Sequence, residues 1–255
     1  KLHIPVAHVE AGLRSYNRRM PEEINRVLTD HASNILFAPT ETAVDNLCKE
    51  GVDAQRIHKV GDVMYDAALF YASKANDKSN ILEQLHVHPK KFALATVHRA
   101  ENTDDPDKLK AIMTALNSIS TETQVVLPMH PRTRKKLDTI KFSPNPSLVI
   151  TEPVGYLDMV MLEKNAVVIA TDSGGVQKEA FFHKVPCLTL RTETEWVELV
   201  QLGWNRLAKP DSIDDIMQGF SESLGAAPVM DENPYGNGNS ARQILDILMD
   251  MQSAT

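Results

Sequence analysis

The chain of 255 residues is 42% hydrophobic and 24% charged, an ordinary globular composition with length for one large α/β domain or two smaller ones. Its net charge of −7 excludes the broad basic footprint of a nucleic-acid or acidic-membrane binder. No run reaches the roughly 18 apolar residues that span a bilayer, and none reads as a signal peptide. Cys48 and Cys187 sit in apolar contexts without metal-type spacing, which points to a reducing, cytoplasmic setting.

Lys1-Leu-His-Ile-Pro-Val-Ala-His8 opens without Met and directly on a strand-like run, which reads as the interior of a longer protein. Strand and helix patterns then alternate. Ile4–Val9 predicts a strand, and Pro21–Asn34 a helix with Pro at its first position and Glu22 and Glu23 in its first turn. Ile35–Ala38 is a strand, Thr42–Glu50 a helix stopped by Gly51, Arg56–Val60 a short strand and Asp62–Lys74 a helix. The polar stretch Asn76–Pro89 is the best candidate for a domain junction. Beyond it, strands are predicted at Phe92–His98, Thr123–Met129, Ser147–Thr151, Ala166–Thr171 and Cys187–Leu190, each followed by a helical pattern. Gly225–Asn239 is turn-rich, and Ser240–Met251 is a final amphipathic helix. This alternation argues a doubly wound parallel sheet, whose ligands bind outside the strands' carboxyl ends.

The polar residues fall at those ends. Ala166-Val-Val-Ile-Ala-Thr-Asp172 reads as a buried strand, followed by Ser173 as an N-cap and by Gly174 and Gly175, which let a ligand approach the backbone. A helix start so placed binds anions, and Glu179, about one turn in, can accept hydrogen bonds from sugar hydroxyls. Diphosphate plus ribose is the first ligand to consider; an ordinary capped βα turn is the alternative. Glu10 ends the first strand, where a carboxylate is costly to bury unless used or paired. Glu22 either joins it or merely offsets the dipole of its own helix. Arg14, Arg18 and Arg19 crowd the same loop and could pair with these acids or meet a phosphate. His98, with Arg99, Glu101 and Asn102, makes the next strand end unusually polar, and His130-Pro-Arg132 repeats the pattern more weakly; the basic run Arg132–Lys136 reads as a solvated helix face. No spacing suggests a metal, no G-x-G-x-x-G a dinucleotide and no G-x-S-x-G a nucleophilic serine.

His8-Val-Glu-Ala-Gly-Leu-Arg14, Pro21-Glu-Glu-Ile-Asn-Arg26, Pro39-Thr-Glu-Thr-Ala43, Val97-His-Arg-Ala-Glu-Asn102, His130-Pro-Arg-Thr133, Asp172-Ser-Gly-Gly-Val-Gln-Lys-Glu179 and Asn233-Pro-Tyr-Gly-Asn-Gly238 together resemble the non-hydrolysing UDP-N-acetylglucosamine 2-epimerases, in the family's order and over nearly the whole chain. The resemblance implies an α/β, GT-B-type fold, two Rossmann-like doubly wound parallel-sheet domains with the sugar nucleotide in the cleft between them. It divides the chain into residues 1–75, the later part of the first domain, residues 76–235, the UDP-binding domain, and residues 236–255, a helix packing back on the first. It assigns Glu10, Glu22 and His98 to catalysis. Arg14, Arg99, His130, Arg132, Val154, Met159, Ser173, Gly174, Gly175 and Glu179 bind substrate, the glycine turn holding the diphosphate, Glu179 the ribose, and Val154 and Met159 lining the base. It implies a cytoplasmic homodimer acting on a UDP-sugar for cell-surface polysaccharide, with no cofactor, no metal, no nucleic acid and no membrane.

Two departures accompany the resemblance. The family's first strand, its Arg-containing phosphate loop and a catalytic Asp are expected upstream of Lys1, within about one hundred residues, most of one Rossmann half; without them the chain is expected not to epimerise. Second, Arg191-Thr-Glu-Thr-Glu-Trp-Val-Glu198 places Trp196 where many members carry a ligand-contacting Arg. An indole offers one donor and no charge, so another cation takes over, with Arg191 the nearest candidate, or the substrate differs, as in a diacetamido uronic acid, or Trp196 only packs the helix Val197–Leu202 onto the sheet. A GT-B-type UDP-sugar glycosyltransferase and a non-catalytic UDP-sugar-binding module are the rival classes.

Overall fold

The protein is described from a computed structural model over residues 4–140, 142–226 and 233–253. Lys1–His3 of the opening run and residues 227–232 of the turn-rich stretch lie outside the described residues. In chain order the elements are β1 (Ala7–Val9), α1 (Pro21–Ala32), β2 (Ile35–Ala38), α2 (Glu41–Lys49), β3 (Ile57–Lys59), α3 (Val63–Lys78) and α4 (Ile81–Gln84). There follow β4 (Phe92–Thr96), α5 (Ala100–Thr103), α6 (Pro106–Ile119), β5 (Gln124–Pro128), α7 (Pro131–Thr139), β6 (Leu148–Thr151) and α8 (Tyr156–Asn165). The chain closes with β7 (Ile169–Thr171), α9 (Gly174–Phe182), β8 (Cys187–Thr189), α10 (Val197–Gln201), β9 (Asn205–Leu207), α11 (Ile213–Leu224) and α12 (Ser240–Ser253).

Two compact units result, one from Lys1–Leu69 with Met230–Thr255 and the other from Phe70–Val229. The first holds a parallel sheet in the order β1-β2-β3. The side chains of β2 alternate between its faces, as a strand's must. Leu36 and Ala38 pack with Ala43, Leu47 and Val52 beside α2. Ile35 and Phe37 pack with Val60 and with Ile244 and Ile247 of α12. Thr40 caps α2 by accepting from the Ala43 N–H at 3.2 Å.

The second unit is a six-stranded parallel sheet in the order β6-β5-β4-β7-β8-β9. Ala93, Ala95, Val125, Leu127, Ala170 and Leu188 face one layer with α6 and α11, where Leu109, Ile112, Leu116, Ile216 and Phe220 meet them. Phe92, Leu94, Val126, Ile169 and Cys187 face the other, against Ile81, Leu162, Val176 and Ala180. The sheet is therefore doubly wound, as the continuous apolar strands require. The chain runs outward from β4 through β5 to β6, returns to the centre at β7, and runs outward the other way. The carboxyl ends of β4 and β7 thus flank the point where strand order reverses, the position at which such sheets bind ligands.

Several predicted boundaries move. The strand over Ala166–Thr171 shortens to β7 because Ala166 ends α8 and Val167 only touches β4, donating to the Phe92 carbonyl at 2.8 Å. Ile4–Val9 shortens to β1. The units divide not within residues 76–89 but at Leu69/Phe70, inside α3; α3 runs on to Lys78, α4 follows, and Ile81 and Val87 are buried. The short, polar β9 was not predicted; it forms because Asn205 is buried and bonded to Gln177 and Thr189. Cys187 is buried as its context suggests, whereas Cys48 is exposed at the end of α2. No described helix is long and apolar enough to cross a membrane.

Gly12, after β1, has φ +82°, and a Cβ there would stand 2.2 Å from the Ala43 carbonyl oxygen. The contact is backbone, so no side chain can swing away to relieve it. Gly12→Ala should cost about 2–5 kcal/mol from strain and overpacking together. Urea unfolding measures this; a midpoint equal to wild type would show that α2 yields freely.

Candidate functional site

At the switch point a single buried carboxylate joins the two strand ends. Asp172, immediately after β7, is 0% exposed. It accepts from the backbone N–H of His98 (3.1 and 3.2 Å), from that of Arg99 (3.0 Å) and from the Asn102 amide (3.1 Å). The His98 ring also lies on it, with Nδ1 3.2 Å from Oδ1. Asn102 reaches on to the Leu190 carbonyl at 3.1 Å, tying in the end of β8. Below, Thr96 and Thr171 share a hydroxyl bond of 2.5 Å across β4 and β7. His98 is thereby fixed at its base while its ring remains 53% exposed, the state a ligand-contacting imidazole needs.

The glycine turn grows from the same carboxylate. Ser173 caps α9, its hydroxyl accepting from the Val176 N–H at 3.4 Å, while its own N–H donates to Thr171 Oγ1 at 2.9 Å. Gly174 and Gly175 are half-buried, and first-turn N–H groups have no intrahelical acceptor. A Cβ on Gly174 would sit 3.0 Å from Glu195 Oε1, so this loop approaches the turn closely from one side. Glu179 follows on α9, and burial raises its carboxyl above the usual range against the opposing effect of Lys178. Val154 and Met159, before and on α8, pack against the apolar layer that holds Val176 and Ala180.

Trp196 has a defined task. It is 4% exposed, its Nε1–H donates to the Gly174 carbonyl at 2.9 Å, and the Lys178 ammonium lies 4.2 Å from its ring centroid. The preceding residues are equally tied: Thr194 donates to Gln177 at 2.7 Å, and Arg191 to Glu195 at 3.0 Å. Of the three sequence readings, these contacts support packing, here against the glycine turn rather than only the helix after Trp196.

His130 caps α7, its Nδ1 accepting from the Arg132 N–H at 3.2 Å. Arg132 forks onto Asp104 at 2.7 and 2.8 Å, with Lys136 on the same carboxylate. The basic run is a largely solvated face, and this is a surface ion pair in which the Arg132 side chain stays 59% exposed.

The remaining candidates belong to the first unit. Glu10 has φ +65°, a left-handed conformation costing about 1–3 kcal/mol for a side-chain-bearing residue. The residues after it enforce this, since Ala11 donates to the Phe37 carbonyl at 3.1 Å and Gly12 to Asp30 at 3.1 Å. Arg14 is buried, with Nη1 on Asp30 and Nε and Nη2 forked on Glu50, each at 2.7 Å. It therefore holds the Glu10 loop, a correction to the direct substrate contact expected of it. Asp30 is wholly buried; although desolvation opposes it, bonds from His8 and Arg14 keep its carboxyl below the usual range. Glu22 is exposed in the first turn of α1, whereas Glu23 is buried, accepting from Ser15 N and Oγ at 3.0 and 2.9 Å and from Tyr16 N at 2.9 Å. The sequence reading missed Glu23, Asp30 and the clamping role of Asp172; only adjacency to the chosen motifs could have signalled them.

A family profile described as UDP-N-acetylglucosamine 2-epimerase matches residues 1–249. The chain belongs to the UDP-N-acetylglucosamine 2-epimerase family. It is 51% identical over 257 residues to a UDP-N-acetylglucosamine 2-epimerase homolog of Methanococcus maripaludis, covering 98% of this chain and 70% of the relative. It is 49% identical to the UDP-2,3-diacetamido-2,3-dideoxy-D-glucuronate 2-epimerase of Pseudomonas aeruginosa, covering 97% and 69%. Among solved structures, the Methanocaldococcus jannaschii UDP-GlcNAc 2-epimerase in complex with UDP-GlcNAc and UDP superposes with a TM-score of 0.89 at 44% identity, covering 97% of this chain and 70% of that one. The two parallel-sheet units are accordingly the Rossmann-like units of a GT-B-type epimerase fold.

Trp196→Phe should keep the ring under Lys178 but lose the bond to Gly174, costing about 1 kcal/mol. Trp196→Arg adds a second cation beside a buried one and should destabilise further, with equal loss of activity on different UDP-sugars. Urea unfolding and kcat/KM on two substrates test this; unchanged stability with a shifted substrate preference would restore the specificity reading.

Proposed function

We propose that the protein epimerises UDP-N-acetylglucosamine at C2 to UDP-N-acetylmannosamine, supplying activated sugar for cell-surface polysaccharide. The observation that carries this reading is the strand-order reversal furnished with His98 and the Ser173-Gly174-Gly175 helix start, in a chain of this family. C2 of the sugar has no adjacent carbonyl, so its proton is too weakly acidic for simple removal and return. Expulsion of UDP avoids a free carbanion. A base takes the C2 proton, the C–H electrons form the C1=C2 bond, and the C1–O bond breaks toward the diphosphate. UDP oxygen then adds back to C1 while an acid delivers a proton to the opposite face of C2.

In this reading the helix start of α9 stabilises the departing diphosphate, with His98 and Arg99 beside it. Glu179 accepts from the ribose hydroxyls, Val154 and Met159 border the base, and His130 lies at the outer rim. Glu10 and Glu22 are the acid–base pair, and the enforced backbone of Glu10 supports its assignment. The first Rossmann-like domain is the unit Lys1–Leu69 with Met230–Thr255 and the UDP-binding domain the unit Phe70–Val229; the enzyme works as a homodimer in the cytoplasm.

One finding favours a second reading. The relative at 49% identity is named for a diacetamido glucuronate, between a relative at 51% named as a UDP-N-acetylglucosamine 2-epimerase homolog and the structure named for UDP-GlcNAc at 44%. The C3 and C6 substituents are therefore tested alongside.

Full-length protein incubated with UDP-N-acetylglucosamine in D₂O should gain deuterium at C2 and yield the manno epimer, followed by proton NMR. Unlabelled substrate with sugar transfer to an added acceptor would favour a glycosyltransferase. Turnover of only the diacetamido uronic acid nucleotide would select the second reading. Glu10→Gln should lower kcat with UDP affinity unchanged, whereas Glu179→Ala should weaken UDP binding by about 1–3 kcal/mol; calorimetry giving the opposite pattern would overturn the role assignment.

A further inference from the structure

Helix α8 contacts α9 and carries a second carboxyl, Glu163, that interacts with Glu179. Glu163 is 0% exposed, and neither of its oxygens has a hydrogen-bond partner among the described residues. The reaction as derived gives this acid no task. An ionised carboxylate in that position would have no donor to replace water, a state proteins avoid by keeping the group neutral. Burial, and next the charge of Glu179, push the Glu163 carboxyl well above the usual range.

The groups facing the pair from each packed element supply no compensating charge to Glu163. His183, the C-cap of α9 one turn beyond Glu179, has Nε2 3.9 Å from Glu163 Oε2, too far to bond. Burial, with Lys164 of α8 and Lys90 ahead of β4, holds His183 down to about 4, so it is neutral. Burial pushes Tyr156 of α8 and Cys187 of β8 each up to about 12, so both keep their protons. Lys90 donates to the Lys164 and Ala166 carbonyls at 2.9 and 3.0 Å. Lys178 acts on Glu179 instead, lowering it. Glu179 is only half-buried, so of the two acids it is the one suited to carry charge and Glu163 the one suited to carry the proton.

We propose that Glu163 is a positioning residue for Glu179, donating its carboxyl O–H across the α8–α9 contact to one Glu179 oxygen so that the carboxylate meets the ribose in a fixed orientation. The proposal rests on Glu179 as the ribose ligand. A neutral acid has one O–H to place, and an ionised acceptor makes a stronger bond than the neutral His183 imidazole. With one lone pair of Glu179 so engaged, the others remain for the two ribose hydroxyls. The sign with pH follows. While Glu163 keeps its proton, the pair carries one charge and an internal bond. As pH rises through the elevated Glu163 pKa, that proton leaves, two carboxylates face each other, and UDP affinity falls.

The test is UDP affinity by calorimetry across neutral and alkaline pH for wild type and for Glu163→Gln, Glu163→Leu, His183→Leu and Glu179→Ala. Glu163→Gln keeps a donor that does not titrate, so it should bind as wild type at neutral pH and lose the alkaline fall. Glu163→Leu has no donor and should bind about 10–150-fold more weakly, the worth of one hydrogen bond to a charged group. His183→Leu should behave as wild type. If Glu179→Ala binds UDP as wild type, the ribose reading itself fails. If Glu179→Ala weakens binding while the alkaline fall persists in Glu163→Gln, or His183→Leu removes it, the positioning role of Glu163 is overturned. The Gln profile decides the matter even where the Leu variant does not fold.

Discussion

The architecture of the candidate site depends on one desolvated carboxylate. Asp172 has no contact with water, so its charge must be met by protein donors, and those in reach are backbone N–H groups of His98 and Arg99 and the amide of Asn102. Because these donors belong to the segment after β4 while Asp172 follows β7, satisfying the charge fixes two loops that meet only in the folded sheet. The same constraint sets where the His98 ring points and where α9 begins. A phosphate site of this kind needs its N–H groups held in advance of the ligand, and here the holding charge is buried in the protein rather than supplied by the phosphate.

The first unit solves a similar problem by similar means. Asp30 is buried at the centre of bonds from His8, Gly12 and Arg14, and Arg14 extends the network to Glu50. Asp30 gains its donors where water is absent, and breaking one of its partners would leave a buried charge uncompensated. The residue that benefits is Glu10, whose left-handed backbone lies between a strand end and this network. In both units, then, the side chains proposed to meet substrate are presented by neighbours whose charges are buried. Trp196 and Gln177 extend this rule on the far side of the glycine turn, linking it to the segment after β8 and to β9.

Much of the fold was legible because its signals are local. Apolar strands such as Phe92–Thr96 and Gln124–Pro128, Pro21 at a helix start, and the Ser173 cap state their own conformation. What stayed hidden is non-local. The strand Asn205–Leu207 has no apolar pattern and exists through the buried amide of Asn205. Arg14 and Arg132 look available in sequence, and only the fold brings Asp30, Glu50 and Asp104 to them. Between Glu22 and Glu23 the sequence offers no distinction; one residue of helical rotation buries the second on the Ser15–Tyr16 backbone and leaves the first in solvent. Trp196 read as a vacancy left by an absent Arg, yet its indole donates to the turn that the diphosphate would occupy.

The central claim is that Asp172 pre-sets the Gly174–Gly175 helix start for an anion. Backbone amide chemical shifts recorded during UDP titration test it directly, comparing wild type with Asp172→Ala. The account predicts that the Gly174 and Gly175 N–H signals move most in wild type, and that in the variant these shifts are lost while the β5–β6 region retains its native signals. Equal shifts at the two glycines in both proteins, or the largest shifts at residues remote from α9, would contradict it.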